Sequence, residues 1–145
     1  MEVPPEKIYD LFNHCFDAAK SMLEEAGMFY PFGAVLTPDL EMNSVGADLG
    51  DSRPEPSAVY QLLSQTFTDQ AQKGEIAASA LACDVNIPPK HEAPVSDGLR
   101  VHLESSGVSR YVYVPYQIEA DEAEDSPKTV TFFEPIAVDL QPHIF

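Results

Sequence analysis

The sequence predicts an α+β fold: a single domain over residues 1–145, with a two-layer, mainly antiparallel sheet of five to six strands and two amphipathic helices on one face. The element order is α-β-β-α-β-β-β-β. Three observations carry this. Two stretches place apolar residues every three or four positions, the helical period. Each of these stretches stops at a glycine and passes at once into strand-like sequence. The second half alternates apolar and polar residues about short turns, which forces antiparallel pairing.

Pro4 and Pro5 suit a helix start, because a first-turn residue needs no intrahelical N–H partner. Glu6 lies where the helix dipole favours an acid. Ile8, Leu11, Phe12, Cys15, Phe16, Ala19, Met22, Leu23 and Ala26 form one stripe, and Gly27 is a left-handed stop. The aromatic run Phe29-Tyr30-Pro31-Phe32 follows. Pro31 biases Tyr30 away from helical dihedrals, and Phe29 or Tyr30 can fold back on Met22 and Leu23 as a core plug. The alternative role for the run is a ligand wall with the Tyr30 hydroxyl as its polar handle.

A strand is expected over Phe32–Leu36, turned back by Pro38 and Asp39 into a weaker strand near Glu41–Gly46. The segment from Ala47 to Pro56 reads as an exposed loop. Ser57 is the expected N-cap of the second helix, whose inward stripe is Val59, Leu62, Leu63, Thr66, Phe67 and Ala71, and Gly74 ends it. The strand Glu75–Val85 is alanine-rich, and such small side chains imply the close approach of a helix. A loop with three prolines, Asn86–Gly98, separates it from the next hairpin.

That hairpin turns at Ser106-Gly107. Folding about it pairs Leu103 with Arg110, Val101 with Val112 and Leu99 with Val114 on an apolar face. The other face carries Arg100, His102 and Glu104 opposite Tyr113, Tyr111 and Ser109. A one-residue slip would invert the partition. Five acids between Glu119 and Asp125 suggest a solvated hairpin loop. A last strand spans Thr129–Leu140, and Pro135 places it at an edge or a bulge.

Composition narrows the function classes. The chain carries 8 Lys+Arg against 24 Asp+Glu, a net charge of −16. That field repels phosphate backbones and anionic headgroups, so no nucleic-acid or membrane partner is expected. A second copy of the chain, or a basic protein reached by electrostatic steering, is the expected partner. No apolar run is long enough for a membrane span, and no signal peptide is read at the start. Two cysteines, Cys15 and Cys83, make no disulfide framework in the reducing cytoplasm this implies.

Nucleotide, zinc-protease, hydrolase-elbow and paired-cysteine motifs are all missing from the sequence. No cofactor, metal or catalytic residue is therefore assigned. Asp84, His91 and His102 would make a metal set only if the proline loop folded over the hairpin. The candidate surface is the polar-aromatic hairpin face: Arg100, His102, Glu104, Tyr111 and Tyr113. Tyr and Arg are what protein interfaces enrich, so the first expectation is a non-enzymatic interaction module that self-associates through an open sheet face. The alternatives are an acidic inhibitor or immunity-type protein, and a small enzyme or ligand-binding domain. In the last, His102 would titrate and Arg100 would hold a carboxylate in a bidentate fork.

Overall fold

The structure, a computed structural model, describes residues 3–46, 55–119, 129–142 and 144–145. Residues 47–54 of the loop expected over Ala47–Pro56, and the acidic segment 120–128, lie outside the described residues. Helix α1 runs Pro5–Ala26 and buries Ile8, Leu11, Cys15, Ala19 and Leu23. Gly27 closes it at φ 73°, donating its N–H to the Leu23 carbonyl. Strands β1 (Phe32–Leu36) and β2 (Met42–Val45) form the first hairpin. Helix α2 (Pro56–Gln72) leads to β3 (Ala78–Asn86), β4 (Asp97–Ser105) and β5 (Val108–Glu119).

Strand β6 (Thr129–Phe132) and strand β7 (Ile136–Asp139) complete the sheet. Its strand order is β2-β1-β3-β4-β5-β6, with β7 also on β5. Strands β6 and β7 pair with successive stretches of β5, Tyr116–Glu119 and Arg110–Tyr113. The expected last strand is thus broken at Phe133–Pro135, where proline cannot donate to the ladder. Among the described residues, no helix is long and apolar enough to cross a membrane.

The α+β class, the antiparallel pairing and the element order agree with the sequence. The hairpin register agrees pair by pair: Leu103 with Arg110, Val101 with Val112, Leu99 with Val114, Arg100 with Tyr113 and His102 with Tyr111. Gly107 turns the chain at φ 90° with open space around its Cα. An alanine there meets no neighbour but adopts a conformation that side chains resist. We expect Gly107→Ala to cost about 1 kcal/mol in urea unfolding, with the midpoint shifted and the slope kept.

The helices do not share a face. Alternate residues of β1 and β3 belong to different cores. Ala34, Leu36, Ala78, Ala80 and Ala82 lie under α1 with Leu99, Val101 and Leu103. Val35 and Leu81 meet Val59, Leu63 and Phe67 of α2. A Cβ on Gly33 would lie 2.8 Å from the Phe67 ring, so this helix presses directly on the second face of β1. The alanines of β3 admit α1 closely, as the sequence implies. Helix α2 takes the opposite face because β1 and β3 are apolar on both sides, the pattern of strands covered twice.

Two details of α2 also differ from expectation. Pro56 is its first residue, after Glu55 as N-cap without a side-chain bond, so Ser57 does not cap it. Proline at that position supplies the helical φ itself. Leu62 is 41% exposed, one position outside the stripe of Val59, Leu63 and Phe67.

Candidate functional site

Period-two alternation sends Arg100, His102 and Glu104 of β4, with Tyr111 and Tyr113 of β5, to the α2 side of the sheet. That face is not open. His102 is 2% exposed, Glu104 0% and Tyr113 5%. Three separate covers account for this. Tyr60 of α2 lies over Arg100, with the guanidinium carbon 5.4 Å from its ring centroid. His91, in the proline-rich connection, packs on Tyr113 at 5.2 Å between ring centroids. Ile144 and Phe145 close over Glu104.

This last cover explains why a carboxylate sits in the core. Glu104 Oε1 accepts the backbone N–H of Ile144 at 2.9 Å and of Phe145 at 3.2 Å. Its Oε2 lies 2.9 Å from His102 Nε2. The Ile144 side chain is itself part of the α2-side core. His102 and Glu104 therefore anchor a distant segment by satisfying buried polar groups, and water does not reach them as an open sheet face would require. His102 also meets the Tyr111 ring edge-on at 5.2 Å.

Arg100 is different. Its guanidinium carbon stands 4.2 Å from the Tyr111 ring centroid on one side and faces Tyr60 on the other. Two aromatic faces attract the cation, and the Tyr60 hydroxyl and the Cys83 sulfur lie within hydrogen-bonding reach of the guanidinium. Among the described residues no carboxylate pairs with it, and its buried Nε has no acceptor. A buried donor left in this way costs roughly 1–3 kcal/mol.

Arg100 lines a pocket of about 410 Å³ with Met28, Phe29 and Pro31 ahead of β1, Pro56, Ser57, Tyr60 and Gln61 of α2, and Cys83 and Asp84 of β3. The register explains the opening. Strand β1 begins opposite Ala82 of β3, so the edge of β3 beyond that point, at Cys83 and Asp84, has no neighbour strand on the β1 side. The aromatic run ahead of β1 thus splits its roles. Phe29 is buried in the α1 core and also reaches the pocket wall, while Tyr30 faces solvent.

Burial raises the pKa of the ionisable groups around Arg100. Burial pushes the Tyr60 phenol up to about 12, against the opposing pull of Arg100. Burial likewise raises the Cys83 thiol, again opposed by Arg100. Asp84 is raised by burial and drawn back by the Tyr116 hydroxyl, which donates to it at 2.7 Å. With Tyr60 and Cys83 neutral at pH 7, neither neighbour supplies a counter-ion to Arg100, and no carboxylate among the described residues pairs with it.

The sequence points to Arg100, His102, Glu104, Tyr111 and Tyr113, and offers the aromatic run Phe29–Phe32 as an alternative ligand wall, of which Phe29 and Pro31 line this pocket; it does not point to Tyr60 or Cys83. The helical spacing of Tyr60 next to Val59 was the available signal, because it turns that phenol toward the same sheet face. Asp84, His91 and His102 do not gather as ligands: Asp84 points to the α1 side and His102 to the α2 side. Among the described residues no group of three His, Cys, Asp or Glu is placed to hold a metal ion. Comparison with family models, with curated proteins and with solved structures finds no match to this chain.

Proposed function

We propose that the protein is a small-molecule-binding domain whose ligand is a carboxylate with a compact apolar body, seated at Arg100. The observation that carries this reading is the Arg100 guanidinium, near the rings of Tyr60 and Tyr111, bordering a mostly apolar pocket, with its Nε unsatisfied and no carboxylate among the described residues paired with it. A carboxylate would give the buried Arg100 Nε the acceptor it lacks. Met28, Phe29 and Pro31 would cover the apolar part. A pocket of this size, mostly apolar with a few polar groups at its wall, Arg100 and Asp84 among them, is what ligand sites usually present. His102 and Glu104 enter this reading only as the floor that holds β4 in place. Self-association through the hairpin face loses its basis, since α2, the proline-rich connection and residues 144–145 occupy that face.

The test is a titration with phenylacetate, with 2-phenylethanol as the uncharged control, followed by amide and Arg Nε chemical shifts. Binding of phenylacetate with shifts at Cys83 and Arg100 is expected, together with at least tenfold weaker binding of the alcohol. Arg100→Met is expected to abolish the difference between acid and alcohol. Equal binding of the two by the unaltered protein, or shifts confined to other parts of the sheet, would overturn the reading.

A further inference from the structure

A second cavity lies on the other face of the sheet, independent of the Arg100 site. It has a volume of about 470 Å³ and opens between the first half of α1 and the tip of the β4–β5 hairpin. Its walls are Ile8 and Phe12 of α1, Leu103 and Val112 of the strands, and Pro135 at the break between β6 and β7. Leu103, Val112 and Ile8 are buried members of the α1 core, so the floor of this groove is the edge of the core itself.

The side chains around it are almost all apolar, and one cation stands among them. Arg110 is on the hairpin strand that forms the groove wall. Its side chain is 44% exposed, and its closest carboxylate among the described residues, the open Asp139, is 4.0 Å away. The Arg110 Nε is buried without a hydrogen-bond acceptor. A weak, solvent-screened contact of that kind is worth little and leaves the guanidinium available to a better-placed anion. Tyr9, 64% exposed, borders the same opening.

An apolar cavity with one cation at its wall is complementary to an apolar chain bearing one anionic end. We infer that this groove binds a single-chain alkyl carboxylate, a free fatty acid of medium length, with its carboxylate on Arg110 and its tail along Ile8, Phe12, Leu103 and Val112. A second copy of the chain is the poorer occupant: two molecules at −16 each repel one another, and a partner would bring further acids toward a groove with a single cation.

The experiment is calorimetric titration with decanoate below its micelle concentration, with 1-decanol and acetate as controls. Decanoate is expected to bind, acetate not to bind, and decanol to bind about tenfold more weakly. Arg110→Gln is expected to weaken decanoate about tenfold and leave decanol unchanged. Val108→Phe, on the half-exposed hairpin, fills the groove and is expected to block both chains; thermal melting confirms that both variants fold. Arg100→Met leaves decanoate binding intact, which separates this site from the phenylacetate pocket. Equal binding of decanoate and decanol overturns the role of Arg110. The absence of decanoate binding, or dimerisation in sedimentation that Val108→Phe abolishes, overturns the ligand assignment.

Discussion

Replacing Glu104 with alanine is expected to destabilise the protein by about 3–5 kcal/mol, the range for breaking a buried charged network from one side. The size follows from what is lost at once. Two backbone N–H groups, of Ile144 and Phe145, lose their acceptor, and His102 loses the carboxylate oxygen 2.9 Å away. Each donor left dry costs roughly 1–3 kcal/mol. The Ile144 side chain then has no backbone anchor to hold it in the α2-side core. For a chain of this length the melting temperature should fall by on the order of 10 °C. Glu104→Gln keeps one acceptor oxygen and should cost less than half as much. Hydrogen exchange reads the mechanism directly: the Ile144 amide should lose protection in Glu104→Ala before the amides of β3 do. A melting temperature within about 2 °C of the unaltered protein would mean that residues 144–145 are not anchored through this carboxylate.

Gly33→Ala is the second large effect, expected to cost about 3 kcal/mol, the upper part of the usual range for overpacking a filled core. An added Cβ would stand 2.5 Å from the Ala80 carbonyl oxygen and 2.8–2.9 Å from two ring carbons of Phe67. The ring can move, whereas the carbonyl belongs to the neighbouring strand and cannot. A double-mutant cycle separates the two contacts. Phe67→Ala alone should cost about 3–5 kcal/mol as a cavity. In that background Gly33→Ala should cost less than in the intact protein, because the ring is gone, but still more than zero because of the carbonyl. Additivity within about 0.5 kcal/mol would show that the two residues do not touch, and with it that α2 does not lie on β1.

Local periodicity explains which parts of this molecule are legible from its residues. The stripe from Ile8 to Leu23 has one solution as a helix face, and the residues around Ser106-Gly107 have one register that keeps Leu99, Val101 and Leu103 together. Both were readable because the deciding partners are near in sequence. The expectation that α2 shares the face of α1 does not hold, because a single apolar stripe on a helix does not say which face of a sheet receives it. The information lay in the strands: Val35 between Ala34 and Leu36, and Leu81 between Ala80 and Ala82, make both faces apolar. His102 and Glu104 were read as wet because they are polar. Their burial depends on N–H groups about 40 positions away, and no local pattern encodes such a partner. The pocket at Arg100 is of the same kind, since it exists only where β1 starts one residue short of Cys83.

The two-sided burial of β1 and β3 also bears on how this chain can vary in length. A single residue gained or lost inside β3 would exchange its alanines for Leu81 and Ser79, putting bulk under α1 and a void under α2 in one step. Neither layer could repair itself by sliding, since each is held by the strand the other also needs. Changes in length are therefore confined to the connections, and descendants of this sequence should keep the count of residues in β3 long after its individual side chains have drifted.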